Sequence, residues 1–375
     1  MGLTGSTPVK PINPIEPIVP IHAQDTNTLT LRIEGSSFFV DNEFFGDRIS
    51  GYTLPGFVLR PRLQLHLGSM VTLSGGVHWL HLWGASRYPA LLSAAAWPAV
   101  HDSNRIHLLP WLQGRVDFTN GLSLLVGSLG NSAHQLPLPL YDPDLALVAD
   151  PEAGVELLYS GPFAVADLWV DWREYIWSRS SVPERFTAGL SGRLRYSFDN
   201  AELYLPLHLV GQHEGGQNLA FDHSIANAFN LAAGLGVAAR SARLRYGFSC
   251  RAMLFSQRGN AAVPFSQGWG LYPQFDLSLQ ASSSQFSLLL AYWYGKDFVP
   301  LLGSYLFSNL SALSPLMEFD RTQLVAAKLA WQWAAPGQPC ALQVSASAYL
   351  YPDERRLQYA VGCSLRFNPS FRLLK

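Results

Sequence analysis

The chain has 375 residues, of which only 14% are charged, against the ~25% of an ordinary soluble domain, while 13% are aromatic. A formal net charge of -1 offers no basic surface for nucleic acid, and three cysteines (Cys250, Cys340, Cys363) are too few, and odd in number, for a disulfide framework. No run of ~18 apolar residues survives the interruptions by Ser, Gln, Arg and Gly, which excludes membrane helices and leaves a closed β-barrel as the structure that satisfies every backbone group in hydrocarbon.

In chain order, the first segment is proline-rich. Pro8, Pro11, Pro14, Pro17 and Pro20 recur every third residue with Ile12, Ile15, Ile18 and Ile21 in step, the repeat of a polyproline II helix. Ala23-Gln24-Asp25 then reads as a signal-peptidase junction, so residues 1–26 are expected to be an export-signal remnant or a periplasmic arm. A barrel is expected over 27–367, followed by a short periplasmic tail at 368–375.

From Leu29 onward, segments of ~10 to 14 residues alternate with period two between turn signals. In the clearest, Leu203, Leu205, Leu207 and Leu209 share one face while Tyr204, His208 and Gln212 share the other. Arg243, Arg245, Ser249 and Arg251 oppose Leu244, Tyr246, Phe248, Cys250, Ala252 and Leu254 in the same way. Connections alternate in length: short at 68–69, 119–121, 160–162, 199–200, 240–242, 282–284 and 336–338, and long at 41–55, 83–104, 131–151, 178–184, 214–226, 256–268 and 295–320, with a tight eighth at 352–353. Short periplasmic turns and long outer loops are the asymmetry of a transmembrane antiparallel up-and-down β-barrel. The spacing predicts about sixteen strands, or fourteen if the weak segments 107–118 and 152–159 are not strands.

The last segment, Tyr359 to Phe367, resembles the C-terminal signal read by the bacterial barrel-assembly machinery, with Gly362, Leu365 and Phe367 at the matching positions. Ala360 stands where a polar residue is usual, and eight residues follow Phe367 where most such proteins end. Three stretches, Gly51-Tyr52-Thr53-Leu54-Pro55-Gly56-Phe57, His134-Gln135-Leu136-Pro137-Leu138-Pro139-Leu140-Tyr141-Asp142 and Trp169-Val170-Asp171-Trp172, resemble porin-like outer-membrane barrels of the Bacteroidota that have no assigned chemistry. That resemblance implies a fold and an outer-membrane location, and no site residues.

Period-two assignment puts Arg60, Arg62, Arg115, Arg173, Arg193, Arg195, Arg243, Arg245 and Arg251 in the lumen with the acids Asp167, Asp171, Glu202 and Asp276. Such a ladder forms either a constriction that favours anions or a self-neutralising network that stiffens the lumen, with Arg193 and Arg195 facing Asp167, Asp171 and Glu202. Among ten histidines no spacing points to catalysis; His208 has no serine set beside it by the alternation, and His213-Glu214 with Asp222-His223 lie in a loop where two histidines and two acids either hold a stray metal or are simply solvated. The expectation is therefore a porin-like channel or uptake barrel for small anionic or polar solutes, without enzyme activity, cofactor or metal. The alternative is a non-conducting scaffold subunit of a larger assembly. Expected partners are outer-membrane lipid and lipopolysaccharide, the assembly machinery, and another outer-membrane or periplasmic protein reached through the long loops or the proline-rich arm. Loops 131–151 and 295–320 carry apolar clusters (Leu136, Leu138, Leu140; Val299, Leu301, Leu302, Leu306, Phe307) that either plug the lumen or bind another protein.

Overall fold

A computed structural model describes residues 27–84, 107–118, 121–175, 178, 183–216, 225–314, 316–334 and 337–374. The proline-rich segment, most of the second long loop, and Asp222 and His223 lie outside the described residues. Sixteen antiparallel strands run in chain order: β1 (Thr28–Glu43), β2 (Tyr52–Leu67), β3 (Val71–Leu82), β4 (His107–Asp117), β5 (Leu122–Gly130), β6 (Glu152–Ser160), β7 (Ala164–Glu174), β8 (Glu184–Phe198), β9 (Ala201–Gly215), β10 (Ala226–Arg240), β11 (Leu244–Arg258), β12 (Gln267–Ala281), β13 (Ser284–Lys296), β14 (Thr322–Ala334), β15 (Cys340–Tyr351) and β16 (Arg356–Phe367). Each pairs with its neighbours in sequence, and β16 closes on β1 from Gly35↔Phe367 to Glu43↔Tyr359. Both weakly signalled segments are strands, so the count is sixteen rather than fourteen.

The segment expected as a tail instead adds a seventeenth strand, β17 (Ser370–Leu374), against the first residues of β1. Gly362, Leu365 and Phe367 lie in the closing strand. The Phe367 ring covers Gly35, where a Cβ would stand 2.2 Å from Cζ, so glycine is what lets the two terminal strands close there.

Alternation sorts the two faces. Leu203, Leu205, Leu207 and Leu209 point outward and are 37 to 49% exposed, the lipid-facing pattern, while the other parity of each strand points into the barrel. The lumen is not open throughout. Loop L3 (131–151) and loop L7 (297–321) fold inward, and Leu136, Leu140, Tyr141, Val299, Leu301, Leu306 and Phe307 are all buried against wall residues such as Trp169, Met253, Phe255, Tyr272 and Trp293. The apolar loop clusters thus plug the lumen, at ~1.5–3 kcal/mol of burial per large side chain, and these residues are not available to a partner protein.

Buried loop backbone needs partners, and the wall supplies them. Asn230 of β10 donates through Nδ2 to the Val299 carbonyl (3.0 Å) and accepts from the Leu301 N–H (2.8 Å); Tyr351 donates to the Leu306 carbonyl (2.8 Å). Arg48 of the first loop donates to the Ser308 carbonyl (3.1 Å) and ion-pairs with Glu354 (2.9 Å). L3 and L7 meet backbone to backbone: the Asp142 N–H donates to the Leu302 carbonyl at 2.8 Å, and a Cβ on Gly303 would stand 2.1 Å from the Pro139 carbonyl oxygen. Asn230→Ala orphans two buried backbone groups at ~1–3 kcal/mol each. We expect it to lower the temperature at which the heat-modifiable gel shift is lost and to admit protease to L7; an unchanged midpoint with L7 still protected would count against this anchoring.

Candidate functional site

The lumen arginines divide into paired and free groups. Arg60 and Arg62 clasp Glu34 (3.2 and 2.5 Å), with Arg62 4.6 Å from the Trp111 ring centroid, and Arg115 pairs with Asp117 at 2.8 Å. Arg173 pairs with Asp171. Arg251 donates to Ser249 (2.9 Å), and Asp276 accepts from Gln274 (2.7 Å). Arg193 and Arg195 reach Glu202 alone (3.6 and 4.0 Å), not Asp167 or Asp171. The register explains the difference: Asp167 is opposite Ser191, so Arg193 and Arg195 lie farther toward the turn end of β8. Arg243 and Arg245 are exposed at that end with no carboxylate among the described residues within ion-pair distance.

At mid-height the same register brings a serine to a histidine. Ser191 and His208 are each eight residues from the Asp199-Asn200 turn and pair directly, with Ser191 Oγ 2.9 Å from His208 Nδ1. The expectation that His208 lacks a serine is thereby corrected; the missing step was register across the hairpin rather than alternation within one strand. The pair has the separation of a nucleophile and its base. However, Ser191 is fully buried, His208 Nε2 has no hydrogen-bond partner among the described residues, and the neighbouring acid, Asp167, is opposite the serine rather than on the far side of the histidine. The geometry does not complete a triad.

Above it, L3 presents His134 to the wall. His134 Nδ1 is 2.9 Å from Asp167 and 3.6 Å from Glu156, Nε2 is 2.7 Å from Glu152, and the ring stacks on Trp169 at 3.8 Å between centroids. Burial would lower the imidazole pKa, but Glu152 and Asp167 outweigh it and hold the ring protonated, well above its ordinary value. Gly189 makes the stack possible, since a Cβ there would stand 2.0 Å from the Trp169 ring.

The third feature is a polar cavity of about 230 Å³ between the plug and the wall of β1 and β14–β16. Asn42, Tyr52, Asp142, Asp144, Ser304 and Lys328 line its loop end, and it extends along β1 to Ser36 and Arg366. Asp144 accepts from Asn42 Nδ2 and from the Tyr52 hydroxyl, both at 2.8 Å. Asp142 borders the cavity, yet its depth inside the barrel, with Asp144 beside it, pushes its carboxyl up to about 7. A perturbed carboxyl in a polar cavity marks a candidate reaction site. A larger concavity, about 720 Å³ and lined by Phe39, Leu279, Phe286 and Trp331, lies on the outer wall among lipid-facing side chains. Sequence reasoning placed Asp142 and Asp144 only as loop acids; nothing in their spacing says that L3 turns inward.

The solved structures that this barrel resembles are outer-membrane proteins. A loop-deletion mutant of OmpT from Vibrio cholerae superposes with a TM-score of 0.52 at 9% identity over 92% of this chain and 99% of that one. OccAB4 of Acinetobacter baumannii gives 0.50 at 10% identity (94% and 100%), and OprD of Pseudomonas aeruginosa 0.50 at 9% (94% and 96%). At such identities the likeness establishes the fold: the chain is a β-barrel of the bacterial outer-membrane type. No curated protein matches it in sequence. The expectation that it is not an enzyme is overturned by a family model described by an enzyme activity, which matches residues 21–375: the chain belongs to the Lipid A 3'-O-deacylase-type family.

Proposed function

We propose that this barrel is an outer-membrane acyl-ester hydrolase whose substrate is a lipid A-type glycolipid, with the Asp142/Asp144 cavity as its reaction site. The observation that carries this reading is the Asp142 carboxyl, raised to about 7 at the head of a polar cavity in a chain of this family. A base of that strength is half ionised near neutral pH, where proton transfer from water is most effective. The carboxylate takes a proton from a water molecule, whose oxygen adds to the ester carbonyl. The Lys328 ammonium, on the same cavity wall, is placed to offset the oxyanion. The C–O bond to the sugar then breaks, the alkoxide takes the proton back, and a free fatty acid leaves. In detergent micelles containing acylated lipid A, the purified barrel is expected to release fatty acid at a rate that rises as pH passes through about 7, because the carboxylate is the active form. No release from folded barrel between pH 5 and 9 would refute the reading.

A second reading, passage of small anionic or polar solutes, is favoured by the length of the same cavity along β1 and by the exposed Arg243 and Arg245 at the turn end. A path of this kind would run through the gap between the plug and the wall of β1 and β14–β16.

A further inference from the structure

We propose that His134, Glu156 and Asp167 form a binding site for one divalent transition-metal ion of the manganese-to-zinc class, which pins loop L3 to the barrel wall. The site is distinct from the Asp142/Asp144 cavity, and the proposal does not depend on the reaction assigned there.

Three elements supply the donors: His134 comes from L3, Glu156 from β6 and Asp167 from β7, and their ligand atoms lie within 4.8 Å of one another. The gaps from His134 Nδ1 to Asp167 and Glu156, 2.9 and 3.6 Å, are those expected between donors that share an ion at ~2.0–2.2 Å from each. All three residues are buried, His134 and Asp167 each 1% exposed.

Carboxyl groups crowd this imidazole. Glu152, Glu156 and Asp167 surround one imidazole, whereas the nearby Asp171 is matched by Arg173. Three buried carboxyl groups thus converge on one imidazole, the mixed nitrogen and oxygen donor set of a divalent transition ion. An independent observation points to a missing ligand: Asp167 Oδ1 is buried and has no hydrogen-bond donor among the described residues.

The surroundings hold the imidazole in the orientation a ligand needs. Glu152 accepts from Nε2, the carboxylate–histidine arrangement that directs the Nδ1 lone pair to a metal. Trp169 stacks on the ring face, and His134 and Gln135 hold left-handed backbone (φ 45° and 55°), a strained pair of non-glycine residues that keeps the ring against the wall. On binding, Nδ1 gives up its proton to solvent and the ion takes that proton's place between Nδ1 and Asp167. A mixed nitrogen and carboxylate set selects first-row transition ions over Ca²⁺ and Mg²⁺, which favour oxygen alone.

The test uses the full-length barrel in detergent, stripped with EDTA and titrated with MnCl2 or ZnCl2, with CaCl2 and MgCl2 for comparison. We expect about one equivalent of Mn²⁺ or Zn²⁺, bound at least about tenfold more tightly than Ca²⁺ or Mg²⁺, and weakened about a hundredfold by Asp167→Asn with Glu156→Gln. Glu202→Gln, in the arginine network, should leave binding unchanged. Should the double variant fail to fold, electron spin-echo spectroscopy of Mn²⁺ on the wild type decides: coupling to a histidine nitrogen supports the site. Substoichiometric binding, binding undiminished in a folded double variant, or bound Mn²⁺ without nitrogen coupling would overturn it.

Discussion

Asp142→Asn is expected to lower ester hydrolysis by roughly 10²–10⁴-fold, the usual contribution of a positioned general base, while leaving a heat-modifiable barrel. Asparagine keeps the volume and can still hydrogen-bond, but it cannot take a proton from water. Asp144→Asn makes a sharper test of the electrostatics. Burial and the neighbouring Asp144 charge both raise the Asp142 carboxyl, so removing that charge lowers its pKa and should move the midpoint of the pH–rate profile below about 7. A loss smaller than about tenfold in Asp142→Asn would take this residue out of the chemistry.

Replacing residues 299–307 of L7 by a short linker should turn a barrel that passes little current into an open channel, with conductance in planar bilayers rising about tenfold or more. A sixteen-strand barrel leaves an aqueous lumen unless something fills it, and here Val299, Leu301, Leu306 and Phe307 fill it together with L3. The opened channel should favour chloride over potassium because Arg243 and Arg245 make no carboxylate ion pair among the described residues. Reversing both to glutamate should abolish that preference, most strongly at 0.01 M salt, where the Debye length reaches ~30 Å. Equal conductance before and after excision would mean that the plug is not what limits the pore.

The strands were legible in the sequence because lipid on one side and lumen on the other impose period two, and because turn residues mark each reversal. Asp199-Asn200 even sets the Ser191–His208 register, and counting outward from that turn finds the pair. The inward fold of L3 and L7 was not legible: Leu136 or Phe307 reads the same whether a loop caps a lumen or meets another protein. What depends on that fold was hidden with it. His134 meets Glu156 and Asp167, and Asp144 meets Asn42 and Tyr52, only because L3 crosses the mouth of the barrel, and no local spacing records those distances. Enzyme membership was missed for the same reason, since the cavity residues come from separate strands and loops with no short motif among them.

The most direct measurement is the mass of lipid A extracted from bacteria with fully acylated lipid A that express this barrel in their outer membrane. The account predicts a species lighter by one ester-linked acyl chain with the wild-type chain and unmodified lipid A with Asp142→Asn. Fully acylated lipid A in cells carrying correctly assembled wild-type barrel would contradict it.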